Sequence, residues 1–110
     1  MNRFTILRGL LAFIFFAAGI SKLINLDSAV ANFASLGLPE WLVYVTAVGE
    51  VACAVLLMAP QGKGFAPAIA GMLAFMVGAI GAEIMAGELP TPAVITAALV
   101  VLLWRWRPEA

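Results

Sequence analysis

Four apolar runs, at 4–23, 41–59, 65–86 and 90–106, take up most of the sequence and leave little chain between them. The first three have the ~20 residues that a helix needs to cross the hydrocarbon of a bilayer. The fourth is shorter, with its apolar part from Pro92 to Trp106. Its ends compensate: Thr91 then Pro92 reads as an N-cap followed by proline at the first helical position, where no amide donor is wasted, and Trp104 and Trp106 suit the far membrane interface. With 65% apolar and 11% charged residues, the chain has too little polar surface to cover a soluble globule. The expected fold is an all-α membrane protein, one transmembrane domain over 1–110, with four transmembrane helices running up and down.

The connections at Pro60 to Gly64 and Gly87 to Pro90 are short, so the helices they join must run antiparallel and pack together. The stretch Asn25 to Glu40 is longer and has its own pattern. Asp27 can cap a short helix, Val30, Phe33 and Leu36 form an apolar stripe, and Gly37 followed by Pro39 ends it. This predicts a short interfacial helix between the first two spans. Arg3, Arg8, Lys63, Arg105 and Arg107 then lie on one side and Lys22 on the other, which places both termini in the cytoplasm, most naturally at a bacterial inner membrane. Arg3 and Arg8 followed by an apolar run ending in Ala17-Ala18-Gly19 also resemble a secretory leader. Retention is expected, because three spans would put Lys63 opposite Arg105 and Arg107 and would deprive Gly19 and Lys22 of the helix that gives them a role.

Along the third run Ala66, Ala70, Ala74, Gly78, Ala82 and Ala86 repeat every four residues. Small residues at this spacing let a neighbouring backbone come close. The stripe serves either the inside of the bundle or a seam between two copies, and the internal role is the expected one.

Composition removes several function classes. Six Lys and Arg balance six Asp and Glu, so no basic excess points to nucleic acid as a partner. Cys53 is the sole cysteine, which excludes a dithiol exchange within the chain. Histidine is absent, and with it the usual ligand of membrane haem, zinc or copper, so no built-in metal or cofactor is expected. The partners expected are the lipid bilayer, other membrane redox subunits, or a second copy.

What remains is a set of charges within the spans: Arg8, Lys22, Glu50 and Glu83. A charge near the bilayer centre costs about 2.5–3.5 kcal/mol on insertion scales, so it should face the bundle and find a partner. Arg8, Phe15 and Lys22 fall seven apart, with Thr5, Ala12 and Gly19 beside them, making one inward face of the first helix. Glu50 lies near the middle of the second, sharing its side with Thr46, Ala47, Cys53 and Ala54. Pairing Arg8 with Glu50 and Lys22 with Glu83 leaves no net buried charge, and Lys22 with Glu50 is the competing arrangement. Such pairs either fix helix register alone or equip Glu50 to exchange a proton with a small bound molecule, for which a quinone head group is the natural candidate. Trp41 and Tyr44 are candidate ring contacts for it, although their depth suits interfacial anchors better. Cys53, one turn from Glu50, reads as packing.

Arg8-Gly9 opens the first helix, Gly19-Ile20-Ser21-Lys22-Leu23 closes it, Leu36-Gly37-Leu38-Pro39 precedes the second, and Gly49-Glu50 lies within it. In order and spacing this resembles the DoxX-like family of small four-helix membrane proteins. The resemblance implies a fold more than a function. Some relatives are subunits of quinone-linked thiosulfate oxidation or terminal oxidase systems, others associate with oxidative-stress complexes, and most have no assigned activity. Lys22 and Glu50 match the recurring charged positions of the first and second helices. Many members place a histidine late in the third helix, where Glu83 stands here, so a role inherited at that position is in doubt. The expectation is an accessory, quinone-associated subunit of a membrane redox system with no independent catalytic site. The alternatives are a small proton or cation carrier or channel using Glu50 and Glu83, and a scaffold without chemistry.

Overall fold

A computed structural model describes residues 2–108 and is helical throughout, with no strand among those residues. The helices are α1 (Arg3–Ile24), α2 (Leu26–Ser35), α3 (Glu40–Leu57), α4 (Phe65–Met85) and α5 (Thr91–Trp106), with a 3-10 turn at Pro60–Gly62 between α3 and α4. α1, α3 and α4 are long and apolar enough to cross a membrane, whereas α5 is a shorter apolar helix of 16 residues, about 24 Å of axial rise.

Local chemistry sets the ends. Asn2 caps α1 by accepting a hydrogen bond from the Thr5 amide at 2.9 Å. α2 stops at Gly37, where φ is +77°. The Leu38 amide donates back to the Phe33 carbonyl and the Gly37 amide to the Ala34 carbonyl, a paired closure that needs a residue tolerant of the left-handed region. α4 ends the same way at Gly87, with the Glu88 amide donating to the Glu83 carbonyl. Two expected caps shift. Asn25, not Asp27, is the N-cap of α2, and Asp27 lies in its first turn, where a carboxylate still favours the positive end of the helix. Thr91 is the first residue of α5 and Pro90 its cap.

α1 packs along α3, α3 against α4, α4 against α5, and α5 closes back onto α1, while α2 lies across α1 and α3. The closest approach is at Gly19. A Cβ there would sit 2.6 Å from both the Ala47 carbonyl oxygen and Cγ2 of Val51, so the absence of a side chain is what lets the two backbones meet. The dry core lies toward the N-terminal half of α1, where Leu11 and Phe15 meet Leu57, Met72, Val100 and Leu103. Beyond it Phe65 stacks on Trp104 at a centroid distance of 5.9 Å and meets Phe4 in a tilted pair at 5.6 Å. Arg3 and Arg107 lie over the rings of Trp106 and Trp104 at 4.4 and 3.8 Å, an arrangement suited to an interface where cation and ring need partners on different sides.

The outside is as apolar as the inside. Phe13, Val48 and Val77 are each about 60% exposed, and of α4 only Ala68, Ile69 and Met72 are buried. Water does not tolerate so continuous an apolar surface, and lipid does. The same pattern corrects one expectation. Ala66, Ala70, Ala74 and Gly78 are exposed, and nothing lies within 4 Å of a Cβ placed on Gly78. α4 therefore packs within the chain through Ala68, Ile69 and Met72, and the small-residue stripe does not serve that contact.

Replacing Gly19 with valine should cost about 1–3 kcal/mol by overpacking, read as a lower midpoint of unfolding in detergent. Gly9→Val, in the same helix with nothing within 4 Å of its Cβ, should change the midpoint little.

Candidate functional site

The α1–α3 seam is pinned by a basic residue at each end. Near its start, Arg8 donates from Nε to the Leu57 carbonyl at 2.7 Å and from a terminal nitrogen to the Ala59 carbonyl at 3.2 Å. These carbonyls close α3, so the guanidinium caps the negative end of that helix and satisfies acceptors left without amide partners. The expected Arg8–Glu50 pair is therefore not formed. Position along the helices explains it: Arg8 enters level with the end of α3, two turns beyond Glu50, and the nearest strong acceptors are backbone carbonyls.

At the other end Lys22 Nζ donates to Glu50 Oε1 at 2.6 Å. The Glu50 side chain is 6% exposed and that of Lys22 22%. This is the sole ion pair among the described residues, and it is the arrangement that competed with Lys22–Glu83 in the sequence. Gly19 decides the outcome. By letting α1 and α3 touch between Ala47 and Val51, it brings Lys22, in the last turn of α1, above Glu50 without a reach across the bundle.

The pair lines a cleft of about 460 Å³. Lys22 enters from α1, Asn32 and Phe33 from α2, Leu42, Thr46 and Glu50 from α3, and Phe75, Ala79 and Glu83 from α4. Small-molecule sites typically have about 300–1,000 Å³, mostly apolar walls and a few convergent polar groups, and this cleft has each of these features. Glu83 shares the cleft, half-buried, but is not bonded to Lys22. Trp41 and Tyr44 are exposed on α3 and do not line it. Cys53 is buried in the dry core.

The aromatic walls were less legible in the sequence. Phe33 sits on the apolar stripe expected to lie on the membrane surface, and the structure buries it on the wall of the cleft that the ion pair also lines. Phe75 carries no sequence signal of its own. The signal was Gly49, next to Glu50: a Cβ there would collide with the Phe75 ring, so the glycine makes room for the ring beside the carboxylate.

A family model described as the DoxX-like family matches residues 6–105, nearly the whole chain. The chain belongs to the DoxX-like family. That bears out the resemblance carried by the glycine and charge motifs of the first two long helices. No curated protein and no solved structure matches it. Membership in the DoxX-like family, together with helices able to cross a bilayer, points to a membrane protein. Within this DoxX-like chain Lys22 and Glu50, the two charged positions carried by the resemblance, are the two that bond.

Lys22→Met should destabilise the protein by about 3–5 kcal/mol, because it leaves Glu50 buried without a partner. Adding Glu50→Gln should restore much of that loss, a coupling that a double-mutant unfolding cycle in detergent would detect. Arg8→Met should cost about 1.5–3 kcal/mol through the lost charged hydrogen bonds, and that loss should add to the effect of Glu50→Gln because the two sites share no partner.

Proposed function

We propose that the chain is a four-helix up-and-down membrane bundle, a single transmembrane unit, whose cleft binds a quinone head group as an accessory subunit of a membrane redox system. The observation that carries this reading is the cleft with the Lys22–Glu50 pair at its edge and Phe33 and Phe75 on its walls. A quinone head group needs hydrogen-bond partners for its oxygens and flat apolar contact for its ring, and these residues supply both. One N–H of the Lys22 ammonium is given to Glu50, and the others are free to donate to a carbonyl oxygen. Glu50 and Glu83 can accept from hydroxyls of the reduced form. A bound quinone carries two electrons and two protons between partners, and the part of this chain is to hold the ring, orient its oxygens and offer a proton site at Glu50.

Placement in a bacterial inner membrane with both termini in the cytoplasm fits the cationic and aromatic end formed by Arg3, Trp104, Trp106 and Arg107. In that orientation the cleft lies toward the outer leaflet. Family resemblance to quinone-linked subunits supports the ligand class. The short α5 is the weakest span and depends on its neighbours α4 and α1 for burial.

A second reading is favoured by one observation: Glu83 lines the same cleft as Glu50. Two carboxylates and one amine in a membrane cleft suit a carrier that binds and passes a cation or proton.

A short-chain quinone should raise the melting temperature of the detergent-solubilised wild type. Glu50→Gln and Phe75→Ala should fold and lose most of that rise. If quinone shifts nothing, while proteoliposomes show a pH-driven cation flux that Glu83→Gln abolishes, the carrier reading replaces this one.

A further inference from the structure

The Lys22–Glu50 pair stands between two cavities of unlike character. On one side is the cleft, walled by Phe33, Leu42 and Phe75. On the other is a groove of about 330 Å³ between α1 and α2, where Ser21, Asn25, Ser28 and Asn32 surround Lys22. All four of these polar residues are exposed, so the groove opens to the surface. Lys22, Asn32 and Phe33 line both cavities. The ammonium is thus reached from a polar side and bonded to its carboxylate on the apolar side.

We propose that the α1–α2 groove is the aqueous proton entry to the Lys22–Glu50 pair, separate from the cleft in which that pair meets a ligand. Hydroxyls and amides both donate and accept hydrogen bonds, so their alternation along the groove can hold bridging water up to Lys22 Nζ. Beyond the shared Lys22 and Asn32, the cleft contributes Thr46, Glu50 and Glu83 among walls that are otherwise apolar. A proton passes when a Lys22 N–H bond breaks as an O–H bond forms on Glu50. The neutral amine then takes a proton from hydronium in the groove and regains its charge. Charge and atoms balance without an oxidant or reductant. The other ionisable groups near the pair are Glu83, across the cleft from α4, and Cys53, one turn along α3. α2 contributes only Asn32 and Phe33 to the shared wall. The use made of the proton rests on the quinone reading, but the entry route does not.

Lys22 and Lys63 are the chain's lysines, and Lys63 is exposed on the α3–α4 connection. Their side-chain nitrogens can therefore be labelled and resolved, with Lys63 as internal reference. The full chain in lipid nanodiscs, with no quinone present, is exchanged into deuterated water and the Lys22 Nζ hydrogens are followed by nuclear magnetic resonance. Ser28→Leu and Ala29→Leu, which fill the groove without lining the cleft, should each slow Lys22 exchange by roughly tenfold or more relative to Lys63. Ala79→Leu, which fills the cleft instead, should leave it at the wild-type rate. Wild-type exchange in both folded groove variants, or equal slowing by Ala79→Leu, would overturn the proposal. Slowed exchange in a protein that no quinone stabilises would sink the quinone reading and leave the proton entry standing.

Discussion

A carboxylate that is 6% exposed inside an apolar bundle must have a partner, and the arrangement of α1, α2 and α3 follows from supplying one. Lys22 reaches Glu50 only if α1 lies against α3 without an intervening side chain, which Gly19 allows. Lys22 sits in the last turn of α1, and α2 follows after Asn25 and puts Phe33 on the wall beside the pair's cleft. α3 and α4 supply most of the remaining wall. Ion pair, close approach and cavity are thus consequences of one another.

Most of the fold could be read from the sequence because two strong physical signals agree along it. Apolar runs of spanning length marked α1, α3 and α4, and a shorter apolar run marked α5, to within a few residues, and Gly37 and Gly87 marked the ends of α2 and α4 through the positive φ they adopt. The caps were less secure. Asn25 and Asp27 both suit the start of α2, and which one serves depends on how soon the chain can turn after Lys22, a tertiary matter. The alanine stripe of α4 misled for a related reason. Small residues signal that a backbone can come close, but they do not say whether a neighbour does so, and here Ala68, Ile69 and Met72 make the contact instead.

The candidate site was legible as a set of charges but not as a pairing. Four ionisable residues could be named from their positions within the apolar runs, because each is costly in lipid. Choosing among the pairings needed the relative heights of α1 and α3, which no periodicity contains. Arg8 was the clearest case: its length permits many partners, and the carbonyls of Leu57 and Ala59 proved closer than any carboxylate. The ring contacts failed for a different reason. Trp41 and Tyr44 stand at the outer end of the same helix as Glu50, whereas Phe33 and Phe75, which line the cleft, come from other helices.

Arg8 and Lys22 grip α3 at opposite ends of α1, but with unlike chemistry. A guanidinium remains cationic throughout the physiological range, and backbone carbonyls do not ionise. The clamp at the Arg8 end grips main chain, which no substitution in α3 removes. At the Lys22 end the grip is one side-chain contact, Nζ to Oε1 at 2.6 Å, which a single substitution at Glu50 deletes. One helix is thus held at one end by acceptors that every sequence of α3 would present and at the other by a carboxylate that only this one supplies.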